Sequence, residues 1–150
     1  MDGVLRNEIK SFINNTSTVG KLAISLTLKQ KSNGERLDAI NMSQNFRHFM
    51  NILNSKVYGK KFKRFGKQIQ VVPVIEMSQD NRFHYHLIME VPEVTTKLWL
   101  GEEVKTAWKK TKFGYREIDI QEITDDGWTD YITKFKTKED QVDWVNVHWN

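Results

Sequence analysis

Residues 75–92 read Ile75-Glu76-Met77-Ser78-Gln79-Asp80-Asn81-Arg82-Phe83-His84-Tyr85-His86-Leu87-Ile88-Met89-Glu90-Val91-Pro92, and the fold turns on whether they form a β-hairpin. Residues 69–77 are largely apolar and β-branched, residues 83–91 apolar and aromatic, and residues 78–82 between them are polar and turn-forming. Side chains alternate faces along a strand, so His84 and His86 share one face and Tyr85 takes the other. A turn centred on Asp80 sets Glu76 directly opposite His84, and opposite residues of an antiparallel pair share a face. One carboxylate and two imidazoles then converge on one patch of sheet. A slip of one residue in the pairing undoes the convergence.

Two imidazoles and a carboxylate form a divalent-metal site with open positions. The competing reading makes His84 and His86 half-buried strand residues that hydrogen-bond their neighbours. The hairpin alone does not choose between them; the rest of the chain supplies the context.

The chain has 150 residues, the size of one domain with a core of its own, and is read as a single domain over 1–150. It contains no Cys, which excludes disulfides, thiolate zinc sites and a Cys nucleophile. The N-terminus is not patterned as a signal peptide, and no apolar run is long enough to span a membrane, so no membrane partner is expected. A net charge of +4 and a pI near 9.2 favour a polyanionic partner.

Residues 4–13 have helical spacing, residues 21–28 alternate as a strand, and residues 29–35 form a loop. Ser43 is a suitable N-cap for an amphipathic helix whose apolar stripe is Phe46, Phe49, Met50, Leu53 and Val57, with His48 on its surface. After the metal hairpin, Pro92 ends the strand and residues 93–111 form a helix with Leu98, Val104 and Trp108 toward the core. Residues 115–123 form a strand, 128–136 a helix and 142–148 a last strand. The solution for this order is α+β: a five-stranded, antiparallel-rich sheet with helices packed on its faces.

Residues 56–67 interleave Lys56, Lys60, Lys61, Lys63, Arg64 and Lys67 with Tyr58, Phe62 and Phe65. Cations among aromatics suit single-stranded nucleic acid, where phosphates need charge and bases need stacking partners. The alternative is a solvated helix end whose aromatics pack inward.

In the helix at 128–136, Tyr131 and Lys134 stand three apart and share a face. A tyrosine hydroxyl has a pKa near 10 and needs activation to act as a nucleophile at neutral pH. A neighbouring ammonium favours the phenolate and neutralises charge on a phosphate under attack. A metal ion on the facing sheet polarises the same phosphate. The alternative packs Tyr131 with Trp128 and Phe135 and leaves Lys134 solvated.

Glu76, then His84-Tyr85-His86, then Tyr131-x-x-Lys134 resembles the HUH endonucleases, named for a His-hydrophobic-His pair. More narrowly, it is similar to the one-tyrosine rolling-circle replication initiators, or Rep proteins, of plasmids and circular single-stranded DNA viruses. Their first motif lies on the first strand, where Ile24-Ser25-Leu26-Thr27-Leu28 matches loosely. The motifs span most of the chain. The resemblance implies Mg²⁺ or Mn²⁺ on Glu76, His84 and His86, with Tyr131 attacking a phosphodiester of single-stranded origin DNA and Lys134 assisting. It implies a covalent 5′-phosphotyrosine, a 3′ hydroxyl released to a host polymerase, and later rejoining. Thr27 of the first motif, with Lys60, Lys61, Lys63 and Arg64, would contact the DNA. No G-x-x-x-x-G-K-[ST] loop occurs in the chain, so an unwinding helicase would be a separate partner. The implied location is the cytoplasm for a plasmid or phage protein and the host nucleus for one from a eukaryotic virus.

Neighbouring branches fit less well. Mobilisation relaxases usually add a third histidine ligand, two-tyrosine initiators a second Tyr on the helix, and HUH transposases usually carry Gln in place of Lys134. A relaxase- or transposase-type strand transfer is nonetheless one alternative function. A second is a cupin, because His84-x-His86 followed by Glu90 resembles that metal motif, but cupins are all-β barrels with glycines flanking it. A third is a non-catalytic single-stranded nucleic-acid-binding module with structural histidines.

Overall fold

The computed structural model describes residues 20–77, 82–123 and 142–148. Their strands are Lys21–Leu28 (β1), Lys31–Ser32 (β2), Glu35–Arg36 (β3), Val71–Met77 (β4), Phe83–Glu90 (β5) and Gly114–Ile123 (β6). Their α-helices are Ala39–Tyr58 (α1), Lys60–Phe65 (α2) and Lys97–Lys109 (α3), and a 3-10 turn spans Trp144–Asn146. Four strands form one sheet in the order β4-β5-β1-β6, each neighbour antiparallel, and β2-β3 is a separate small hairpin. This is the expected α+β class, with four strands rather than five in the main sheet.

Alternation divides the sheet into two faces. Leu22, Ile24, Leu26 and Leu28 of β1 and Tyr85, Leu87 and Met89 of β5 join the large core under the helices. There they meet Phe46, Phe49 and Leu53 of α1 and Leu100, Val104 and Trp108 of α3. Phe49 and Trp108 meet edge to face with ring centroids 5.3 Å apart, a favoured aromatic geometry. The even-numbered residues of β4 and β5 face the other way. Val72, Val74 and Ile88 build a small second core there with Val142, and Glu76, His84 and His86 lie on the same face beyond it.

Two buried amides fix α1 to the loops around it. Asn54 accepts from the Ile69 backbone N–H at 2.7 Å, and Asn45 bonds both the Thr111 hydroxyl and the Phe113 N–H at 3.0 Å. Gly114 is required where β6 begins, because a Cβ there would stand 1.9 Å from the Trp108 carbonyl oxygen.

Several elements differ from expectation. Helix α1 starts at Ala39, with Asp38 rather than Ser43 as its cap: the Asp38 carboxylate accepts from the Asn41 N–H while the Asn41 side chain accepts from the Asp38 N–H. Met42 extends the apolar stripe by one turn. Residues expected as a loop after β1 contain the β2-β3 hairpin, whose Asn33 and Gly34 have positive φ as a two-residue hairpin turn demands. Thr96 caps α3, and its buried face is Leu100, Val104, Ala107 and Trp108. Leu98, about half a turn from Leu100, is 80% exposed rather than in the core.

Residues 142–148 are not a strand. They touch β4 at single bridges, Val142 to Val74 and His148 to Val71, with the 3-10 turn between. Asp143 accounts for the break: its buried carboxylate accepts from the Tyr85 hydroxyl at 2.9 Å and the Asn146 amide at 2.7 Å, drawing the segment toward α1 and off the ladder. The helices expected at 4–13 and 128–136 lie outside the described residues.

Candidate metal centre

The hairpin register is the one the sequence demands: Glu76 pairs with His84, and Val74 with His86. Glu76 Oε2 lies 2.9 Å from His86 Nε2 and 3.8 Å from His84 Nε2, and the two imidazole nitrogens are 3.0 Å apart. All three donor atoms fall within 4.8 Å of one another. Two donors at right angles around an ion at about 2.1 Å are about 3 Å apart, so these atoms suit three adjacent corners of an octahedron. Two imidazoles with one carboxylate leave the remaining corners to water or substrate. The side chains are 21–28% exposed, so the group opens on the surface.

Residues of β1 complete the face. Ser25 pairs with His86 and Thr27 with His84. Ser25 Oγ lies 2.9 Å from His86 Nδ1. A hydroxyl can donate to or accept from that nitrogen. With a cation on Nε2 the ring proton must reside on Nδ1, and Ser25 then accepts it, fixing tautomer and ring plane together. Thr27 Oγ1 donates to the Glu117 carbonyl at 2.5 Å across β1-β6, and the Trp108 indole donates to the Thr27 carbonyl at 2.7 Å. Ser25 was not selected from sequence, although it is a polar residue at an alternate position of an apolar strand, the signal that marks an open face.

Other candidates lie elsewhere. Glu90 is on the face of His86 but four residues further along β5, opposite Lys21, and outside the metal group. An open sheet with three helices on one side is not a cupin barrel. Tyr85 points to the helix side, where burial and the Asp143 carboxylate push its hydroxyl far above the ordinary tyrosine range. Tyr58 ends α1 and packs on the same core; burial, then the charge of Glu90, raise its pKa. Tyr115, near the start of β6, has the Arg116 guanidinium 5.6 Å from its ring centroid. Tyr131 and Lys134 lie outside the described residues.

The basic run is not beside the metal group. Lys60, Lys61, Lys63 and Arg64 belong to α2, and Phe62 of that helix lines a cavity with Ile69 and Val71, where β4 begins. Glu76 is five residues further along β4, roughly 16 Å at strand rise, and on the opposite face.

Residues 21–140 match the family model for the replication-associated protein ORF2 family. No curated protein and no solved structure matches the chain.

Proposed function

The chain belongs to the replication-associated protein ORF2 family, and on that footing we propose that this replication initiator nicks and rejoins single-stranded origin DNA through a tyrosine. The observation that carries the reading is the Glu76–His84 register, which gathers three metal-ligating atoms on an accessible sheet face. Mg²⁺ or Mn²⁺ held by Glu76, His84 and His86 would polarise a phosphate oxygen and offset charge developing on it.

The chain's own groups do the rest. Tyr131 Oη forms the new bond to phosphorus, and the bond from phosphorus to the 3′ oxygen breaks. The phenolic proton is lost, the 3′ oxygen leaves as a hydroxyl after taking a proton, and the 5′ phosphate stays on the protein. The Lys134 ammonium favours the phenolate and offsets phosphate charge. The freed 3′ hydroxyl suits extension by a host polymerase; the reverse attack rejoins the strand. Ser25 holds the His86 ring, and Thr27, beside His84, is placed to touch the DNA. Tyr131 is favoured because Tyr85 is committed to Asp143 and Tyr58 to the helix core. Of the remaining two tyrosines, Tyr115 and Tyr131, only Tyr131 has a Lys at i+3.

The test is incubation of the full chain with end-labelled single-stranded DNA carrying the origin and Mn²⁺. The expected product is an SDS-resistant protein–DNA adduct that EDTA prevents. DNA binding without an adduct in Mn²⁺ or Mg²⁺ would make the protein a binding module.

A further inference from the structure

Between Asp38 and Glu76 the chain has no carboxylate side chain, yet it carries Arg47, Lys56, Lys60, Lys61, Lys63, Arg64 and Lys67, all exposed. These residues run along α1 and α2, on the covered side of the sheet. Among the described residues, Lys56, Lys60, Lys61, Lys63 and Arg64 have no carboxylate within ion-pair distance. Elsewhere Lys97, Lys105 and Lys112 are paired with Glu122, Glu102 and Glu35.

The local structure does not account for this charge. Lys63 and Arg64 in the last turn of α2 suit the negative end of a helix, but Lys60 and Lys61 stand in the first turn, where cations are disfavoured. Lys60 and Arg64 are like charges at i,i+4, a spacing that weakens a helix. The helix buries no residue, and glycines at positive φ bound it: Gly59 before and Gly66 after. An anion outside the chain is the missing partner.

The aromatic residues decide what kind. Tyr58 packs on the core with Lys67 Nζ 5.4 Å from its ring centroid, and Phe62 turns into the cavity beside Ile69 and Val71. Phe65 alone of the three is fully exposed, at 80%. A surface of cations with its aromatics turned inward offers a phosphate backbone charge without a stacking platform for unpaired bases. We infer that the α1–α2 surface grips the backbone of double-stranded DNA, while the metal face on the reverse of the sheet takes the single strand. This inference rests on the replication reading of the chain but not on its nicking chemistry.

Fluorescence anisotropy in EDTA tests it with the full chain and two probes, a 20-base-pair duplex and a single strand of the same length, over a salt series. The variant carries Lys60→Gln, Lys61→Gln, Lys63→Gln and Arg64→Gln; all four side chains are exposed, and an unchanged Tm confirms its fold. Duplex affinity should fall on the order of a hundredfold, with the log–log salt slope flatter by about 3.6, at about 0.9 per lost phosphate contact. Single-strand affinity should change by much less. An unchanged duplex slope, an equal loss on the single strand, or a loss seen only on phosphatidylserine vesicles each overturns the assignment. Because EDTA removes the metal, a protein that fails to nick can still pass this test, and one that nicks can still fail it.

Discussion

Glu76 is the cross-strand partner of His84, yet its carboxylate leans diagonally to His86, 2.9 Å away against 3.8 Å. The diagonal closes the triangle, since His84 and His86 already meet at 3.0 Å. A β-hairpin supplies this arrangement with local contacts alone: alternation gives the histidine pair and one turn gives the carboxylate.

Ser25 should affect the metal without touching it. Ser25→Ala removes the 2.9 Å partner of His86 Nδ1 and should weaken Mn²⁺ binding by roughly 10- to 100-fold, the usual cost of losing a group that orients a ligand. Ser25→Thr should retain most of the affinity. Titration calorimetry on the folded variants measures both, and equal affinity in Ser25→Ala would remove Ser25 from the site.

Tyr85→Phe should destabilise the protein and spare the metal. The hydroxyl donates to the buried Asp143 carboxylate, and losing one bond of that network should cost about 1–3 kcal/mol. Urea unfolding gives the cost, and Mn²⁺ affinity gives the control. A large fall in metal affinity at unchanged stability would contradict the placement of Tyr85 on the far face.

The docking of residues 142–148 should depend on pH. Burial lowers the pKa of His148 below its ordinary value of about 6.5. The unfolded chain therefore takes up the proton first. The contribution to stability is complete above the unfolded pKa and is lost as pH falls from there through the depressed folded value. His148 exchanges two backbone bonds with Val71. Exchange of the Val71 amide, corrected for its intrinsic rate, should accelerate from pH 7.5 to 5.5, and His148→Phe should remove most of that change.

The parts legible in the sequence are those that periodicity determines. The hairpin register follows from one turn and two alternating strands, because a slip would send Tyr85, Leu87 and Met89 out of the core. The stripe Phe46, Phe49, Met50, Leu53 located α1, but its start depended on the reciprocal Asp38–Asn41 cap, which lies before the stripe. Leu98 looked like core by composition, and the phase of α3 sets it outward. The alternation of residues 142–148 resembled a strand; contacts to Tyr85 and Ser43, distant in sequence, decide their path. Of the site, Glu76, His84 and His86 were readable from the hairpin, whereas Ser25 emerged only from cross-strand pairing.

The most direct test compares wild type with Tyr131→Phe in the adduct assay, after confirming that both bind Mn²⁺ and single-stranded DNA equally. The account predicts a covalent protein–DNA complex in wild type and none in Tyr131→Phe, with His84→Ala also inactive through loss of metal. A Tyr131→Phe protein that still becomes covalently attached to DNA would contradict it.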